Sequence, residues 1–181
     1  MASTHHDKHH AYSRDLNIWI DTYDDLFSDF DPRPFSERVI SDDFLGELNK
    51  LTNERDDFVK VVRFQIPQKN RDEKSEKIIM ERLAFDFKRQ FAVFSAEVKA
   101  NYGRGAAMTA AGFLLLACAV LVNAIESQKL WHNFLLIILQ PAGWFFVWTG
   151  LDRIFFGGKP SKRKRDFYER LAKSKIEFVA I

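Results

Sequence analysis

Two uncharged apolar runs, residues 106–125 and 130–151, dominate the pattern of apolar and polar positions, and only four polar residues separate them. A helix needs about 20 apolar residues to cross the hydrocarbon core of a bilayer, and each run is long enough. Because backbone polar groups in lipid must be satisfied within the chain, two helices joined by a tight turn are the simplest solution. The pattern therefore predicts a two-pass transmembrane helical hairpin over residues 106–151.

Two shorter segments, residues 16–21 and 58–66, carry the β-branched and aromatic residues and the alternation that are typical of strands. Between them, apolar residues recur at helical spacing up to about residue 51, and Ser36 and Ser41 are candidate N-caps. A strand, a helix and a second strand with a crossover of this length predict a parallel βαβ unit.

From residue 72 the pattern changes to that of a long amphipathic helix, which we expect to run almost continuously into the first span, with Gly103 and Gly105 as candidate hinges. Its apolar stripe steps by three or four residues. We favour packing of this stripe on the sheet of its own subunit, and a coiled seam between subunits is the alternative. The stripe consists of Met80, Leu83, Phe87, Phe91, Phe94 and Val98.

After the second run, the sequence predicts a flexible exit at residues 157–161, a basic amphipathic helix at 162–173 and a strand at 175–181. A lone strand needs a sheet to join, so we expect it to pair with the first two. The fold class is therefore α/β, a small cytoplasmic three-stranded sheet with flanking helices, interrupted by the transmembrane hairpin. The expected domains are a disordered His-rich tail at 1–14, a cytoplasmic α/β domain at 15–105, the hairpin at 106–151 and a returning segment at 152–181.

Charge near the spans predicts their orientation, since cytoplasmic flanks collect Lys and Arg. Lys99 and Arg104 precede the first span and six basic residues follow the second between residues 153 and 165, whereas the connecting turn carries only Lys129 against Glu126. We therefore expect an integral membrane protein with both termini in the cytoplasm, in the cell (inner) membrane.

The strongest candidate for chemistry is the acidic segment at residues 21–31, which begins where the first predicted strand ends. Ligands bind beyond the carboxyl ends of strands in open α/β sheets, and Asp21, Asp24 and Asp25 there could hold Mg²⁺. The segment contains no glycine and does not follow the EF-hand pattern. Acidic clusters before helices are ordinarily caps and turn formers, and we favour that structural role over a metal site.

Two further charged clusters suggest ligands. The paired histidines between residues 5 and 10 have the spacing of a transition-metal site, but no apolar residue anchors them, so a disordered or tag-like tail is favoured. The basic cluster follows the second span closely, where it can contact anionic lipid headgroups. We favour this over nucleic-acid binding, because the tract is short and adjacent to the membrane. The cluster consists of Lys162, Arg163, Lys164 and Arg165.

These observations favour a non-enzymatic, membrane-anchored cytoplasmic interaction and assembly module. Three strands bury a limited core, so homo-oligomerisation is expected, alongside an unidentified cytoplasmic protein partner. One alternative is a small metal-dependent, phosphate-handling hydrolase that uses the acidic segment, although no general base or phosphate loop accompanies the carboxylates. A less favoured alternative is an oligomeric pore, since no charged residue lies deep in either span. No cofactor is expected apart from the Mg²⁺ of the hydrolase alternative.

Overall fold

The computed structural model describes residues 15–53, 59–125 and 130–181, and these form a mostly helical chain with one small sheet. The His-rich tail, the first residue of the second predicted strand (Phe58) and the turn between the two apolar runs lie outside the described residues. In chain order, the elements are β1 (Asp15–Trp19), α1 (Asp42–Asn53), β2 (Val61–Ile66), α2 (Glu73–Asn123), α3 (Leu130–Phe155), α4 (Lys159–Lys173) and β3 (Lys175–Ala180).

The chain divides into two compact units. The first, which we call the α/β unit, comprises the described residues of Met1–Arg89 and Phe167–Ile181, and the second, the helical unit, comprises those of Gln90–Asp166. The last strand therefore belongs to the same unit as the first two strands.

The α/β unit is built on a three-stranded sheet in the order β1-β2-β3, with both pairs parallel. In the register, Leu16 lies beside Val62 and Val62 beside Ile176. The parallel pairing of β1 with β2 across α1 confirms the predicted βαβ unit. The pairing of β3 with β2 confirms that the C-terminal strand completes a three-stranded sheet.

One face of this sheet forms the core of the α/β unit. The strand residues in the core all have even numbers, because side chains alternate between the two faces of a strand. Val62, Phe64 and Ile66 of the central strand are fully buried, and the Phe64 and Phe178 rings lie 5.2 Å apart. Helical residues pack against this face, among them Phe44 and Leu48 of α1, Ile79, Leu83 and Phe87 of α2, and Phe167 and Leu171 of α4.

α2 is one continuous helix of 51 residues. The Asp72 carboxylate accepts hydrogen bonds from the Ser75 backbone N–H and hydroxyl, at 3.1 and 2.6 Å, which caps the first turn. The helix passes through Gly103 and Gly105, so it confirms the predicted rod without a break at these candidate hinges. Leu83 and Phe87 of the predicted stripe lie in the core of their own α/β unit, as favoured.

The structure selects one of the two candidate N-caps of α1 and corrects one predicted boundary, at the start of α4. α1 begins after Ser41, whose hydroxyl accepts a hydrogen bond from the Phe44 N–H at 3.4 Å, and Ser36 lies in the preceding non-helical segment. The predicted flexible exit is partly helical, because α4 already begins at Lys159. Pro160 causes no break there, since a proline in the first turn of a helix removes no hydrogen bond that the helix could make.

The helical unit holds the two longest apolar segments, and glycines bring α2 and α3 into backbone contact. A β-carbon added to Gly112 would lie 2.8 Å from the Gly143 carbonyl oxygen, and Gly105 is placed similarly against Gly150. Both glycine pairs are seven residues apart along each helix. Buried Val98 and Ala119 extend the repeat on α2, which is the periodicity of left-handed coiled-coil packing.

Both long helices are apolar enough to cross a membrane, by length and composition. Only 17% of each apolar window is buried within the protein, so most of its apolar side chains face outward. The exposed aromatic and aliphatic residues include Phe113, Leu121, Phe134, Ile137, Phe145 and Trp148.

Candidate functional site

The acidic segment that was predicted as a metal site follows β1 and forms a short 3-10 helix, Tyr23–Leu26. The Asp25 carboxylate accepts hydrogen bonds from the backbone N–H groups of Asp21 and Thr22, at 2.8 and 3.1 Å. A carboxylate at this position satisfies donors that the helix start leaves free. Asp25 therefore performs the capping role that the sequence favoured for acidic residues in this segment.

Two other carboxylates of the segment, those of Asp24 and Asp31, also contact protein groups. Asp24 forms an ion pair with Arg38. Asp31 accepts two hydrogen bonds from the Arg33 guanidinium and one from the Val39 N–H, and these hold the pKa of its carboxyl well below the usual range. Among the described residues, no group of three or more His, Cys, Asp or Glu side chains is placed to hold a metal ion. Mg²⁺ binding by Asp21, Asp24 and Asp25 stays a prediction.

A buried polar network ties this segment to the loop after β2, at the carboxyl edge of the sheet. The Tyr23 hydroxyl donates to Glu76 of α2 at 3.0 Å and accepts from the Asp72 N–H at 2.8 Å. Arg71 donates two hydrogen bonds to the same Glu76 carboxylate, each at 2.8 Å. The Asn70 side chain also donates to the Asp21 carbonyl oxygen at 2.9 Å. This edge of the sheet is thus cross-linked by protein groups.

The electrostatics of the network follow from these contacts. The Arg71 guanidinium holds the pKa of the Glu76 carboxyl below its usual value, so this carboxyl is ionised although it is 95% buried. Burial raises the pKa of the Tyr23 phenol, which stays a hydrogen-bond donor. A bidentate Arg–carboxylate pair with a neutral phenol is a stable structural arrangement.

The second face of the sheet, which we call the outer face, consists of the odd-numbered strand residues. None of these residues is buried, whereas the even-numbered face is covered by helices. A ladder of ion pairs crosses the outer face from strand to strand. The Arg63 guanidinium contacts Asp15 at 2.8 Å and Glu177 at 3.3 Å, and the Lys175 ammonium contacts Glu177 at 2.7 Å. Acidic and basic groups balance along this ladder.

Apolar groups follow the ladder toward the carboxyl ends of the strands. Trp19 lies beside Gln65, and Gln65 beside Val179, in one row across the sheet. The Trp19 side chain is 58% exposed and Val179 is 38% exposed, with Ile181 at 59% just beyond. The outer face therefore combines ion-paired side chains, whose charges sum to zero, with an exposed indole.

The basic cluster predicted to contact lipid headgroups lies on α4. Lys162, Arg163 and Lys164 are exposed, while Arg165 forms an ion pair with Asp166. The Lys164 ammonium also lies 5.4 Å from the centre of the Phe94 ring. The Ser161 hydroxyl donates to Glu97 at 2.6 Å, which joins the start of α4 to α2 within the helical unit. Contact of this cluster with lipid headgroups stays a prediction.

Sequence analysis missed the outer face and the network around Glu76. The alternation in the strands predicted one polar face, but the partners of Arg63 come from both ends of the chain, so no local pattern reveals them. Glu76 looks like an ordinary acidic residue in the first turn of a helix. The nearby Arg71 was the one local signal for its ion pair.

No family model, curated protein or solved structure matches the chain.

Proposed function

We propose that the chain is a membrane-anchored assembly module: α2 and α3 cross the cell membrane as a hairpin, both termini lie in the cytoplasm, and the α/β unit self-associates through its outer face. The observation that carries the proposal is the uncovered face of an all-parallel sheet. Parallel sheets occur almost only where both faces are covered, and here the described residues cover one.

The exposed apolar surface of the two long helices supports the anchor. Soluble monomers rarely expose large contiguous apolar patches, and a bilayer removes this surface from water. Exposed Trp131 near the start of α3 and Trp148 near its end are placed as interfacial aromatic residues would be. The exposed basic residues of α4 follow the second helix, which favours a cytoplasmic position for that end.

A second copy of the chain is the partner that the outer face suits best. Its ladder contains two acidic and two basic side chains, Asp15, Glu177, Arg63 and Lys175, so a two-fold arrangement can set each sign against its opposite. Exposed Trp19 supplies the large aromatic contact that commonly dominates the energy of an interface. No catalytic step enters the proposal, because Asp24, Asp25 and Asp31 already bind protein groups.

The proposal is tested on the full chain in lipid nanodiscs and in detergent. Trp19→Ser should shift the mass distribution from dimers or larger assemblies toward monomers in mass photometry. Phe30→Ser is the matched control, because Phe30 is 97% exposed in a loop outside the sheet, and it should leave the distribution unchanged. Equal mass distributions for the two variants would show that the outer face is not the interface between copies.

The anchor has a separate test in cells. The protein should stay in the membrane fraction after alkaline carbonate extraction, and reporters fused to either terminus should both give cytoplasmic signals. Extraction into the soluble fraction would refute the anchor, and a single reporter outside the cytoplasm would refute the hairpin topology.

A further inference from the structure

A groove of about 360 Å³ runs along the outside of the helical unit, between α2 and α3. Its walls are mostly apolar, but two side-chain amides line it, one from each helix. The lining residues are Leu116, Ala119, Val120 and Asn123 of α2 with Gln140 and Trp144 of α3.

Gln140 lies near the middle of the second apolar helix. It is ten residues beyond Leu130, or about 15 Å along the helix axis at 1.5 Å per residue, which is half the thickness of a bilayer core of about 30 Å. The Gln140 side chain is exposed, and it makes no hydrogen bond within residues 15–53, 59–125 and 130–181. The same is true of Asn123 near the end of α2.

An amide in this position needs a partner if the helix crosses a membrane. Lipid tails offer neither donor nor acceptor, so an unpaired amide at this depth is costly. Within the described residues the facing helix does not supply this partner, since Asn123 of α2 lines the same groove but makes no hydrogen bond with Gln140. The requirement for a polar partner is what distinguishes this groove from an ordinary lipid-facing surface.

We propose that two copies of the hairpin associate within the membrane through this groove, with the Gln140 amide of each copy donating to and accepting from the Gln140 amide of the other. A carboxamide carries both donor and acceptor atoms, so it is complementary to itself across a two-fold axis. Leu116, Val120 and Trp144 provide the apolar packing around the amide pair. The inference rests on the proposed function, since it requires the hairpin to span the bilayer.

The test measures association of the full chain in liposomes by energy transfer between copies that carry donor or acceptor dyes. Gln140→Leu should lower the association constant about 3- to 20-fold, the range expected for loss of interhelical hydrogen bonds in membranes. Gln140→Asn should retain most of the association, because the shorter amide still donates and accepts.

Thr149→Val is the matched control, because it also removes a polar group from α3. Thr149 is nine residues beyond Gln140, which places it half a turn away on the helix, and it does not line the groove. This variant should associate like the wild-type chain. Equal association of the wild-type chain and Gln140→Leu would overturn the inference.

Cross-linking keeps the test independent of any effect of leucine on folding. Cys118 is the only cysteine, so a Cys118→Ser chain provides a background without thiols. In this background, Gln140→Cys should form disulfide-linked dimers under mild oxidation, and Ile138→Cys on the far side of α3 should not. Equal cross-linking at the two positions would exclude the groove as the contact.

Failure of this inference can be told apart from failure of the proposed function. Release of the protein by carbonate would refute the anchor, and the groove contact with it. Retention in the membrane with unchanged association of Gln140→Leu would refute the groove contact alone. The effect of Trp19→Ser in the same energy-transfer assay then reports on the outer face separately.

Discussion

Gly105 of α2 and Gly150 of α3 lie backbone to backbone. A β-carbon added to Gly150 would stand 2.8 Å from the Gly105 carbonyl oxygen, and one added to Gly105 would stand 3.0 Å from the Gly150 carbonyl oxygen. Real β-carbons essentially never approach other heavy atoms within 3.0 Å, so this contact requires the absence of a side chain at Gly150. The same holds one heptad further along, at Gly112 and Gly143.

The glycine contacts predict a reversal of the usual effect of alanine in a helix. Gly103→Ala should stabilise the protein by up to about 1 kcal/mol, because nothing lies within 4 Å of the new β-carbon and alanine favours the helix. Gly112→Ala should instead destabilise it by about 1–3 kcal/mol, because its β-carbon would meet the Val147 backbone nitrogen at 2.6 Å. Denaturant unfolding of the full chain in micelles measures both, and effects of the same sign would contradict the tight packing.

The Glu76 network predicts a stability contribution from the carboxyl edge of the sheet. Glu76→Gln should cost about 1–3 kcal/mol, because it removes a charge-assisted acceptor from Arg71 in a buried position. Glu47→Gln is the control, since its partner Lys50 lies on an exposed helix surface, and its cost should stay below about 0.5 kcal/mol. Equal costs in denaturant unfolding would show that the buried pair contributes no more than a surface pair.

The lowered pKa of Glu76 also predicts how stability depends on pH. The native carboxyl takes up its proton at a lower pH than the unfolded chain does, so the contribution is present above the unfolded value of about 4.3 and is lost as the pH falls through the lower native value. The lowered pKa values of Asp31, Asp72 and Glu177 act in the same direction. The gap in unfolding free energy between wild type and Glu76→Gln should therefore narrow below pH about 4. A constant gap from pH 7 to pH 3 would refute the ionised pair.

Because the C-terminal strand pairs with the sheet, substitutions at two neighbouring residues of this strand should differ in how much they destabilise the α/β unit. Phe178→Ala should destabilise the α/β unit by about 3 kcal/mol, because its ring packs against Phe64 and Tyr23 in the core. Val179→Thr changes the next residue, which points to the outer face, and it should cost less than about 1 kcal/mol. Deletion of residues 175–181 should lower the melting temperature more than either substitution. An unchanged melting temperature would contradict the pairing of β3 with β2.

Local periodicity was enough to predict the sheet and the long helices. Alternation identified all three strands, and the sustained three-to-four spacing identified α2, because these signals depend only on neighbouring residues. The open choice between Ser36 and Ser41 and the boundary error at Lys159 have the same origin. Serine and proline each suit several positions near a helix start, and tertiary packing selects one of them.

Contacts between distant segments could not be predicted in this way. Small residues in and beside the first apolar run fall into two sets. Four alanines face outward, namely Ala106, Ala107, Ala110 and Ala111. Gly105, Gly112 and Ala119 are buried, and the two glycines contact α3. Small residues separated by four positions and small residues separated by seven positions both occur in this segment. Only the glycines of the second run, also seven residues apart, indicate which set meets the partner helix.

The acidic segment supports a prediction about metal ions, because two of its three candidate ligands, Asp24 and Asp25, already have protein partners. Asp25 caps the 3-10 helix and Asp24 binds Arg38, so recruiting both for Mg²⁺ would break these contacts. We expect Mg²⁺, Mn²⁺ and Ca²⁺ to leave the melting temperature of the full chain unchanged, in wild type and in the Asp21→Asn, Asp24→Asn double variant. The titration is sensitive enough, since a specific site at 100 times its dissociation constant would add about 2.7 kcal/mol. Asp25→Ala should cost about 1 kcal/mol with or without metal, as loss of a helix cap does. Stabilisation of wild type that the double variant lacks would instead establish the metal site and reopen the hydrolase alternative.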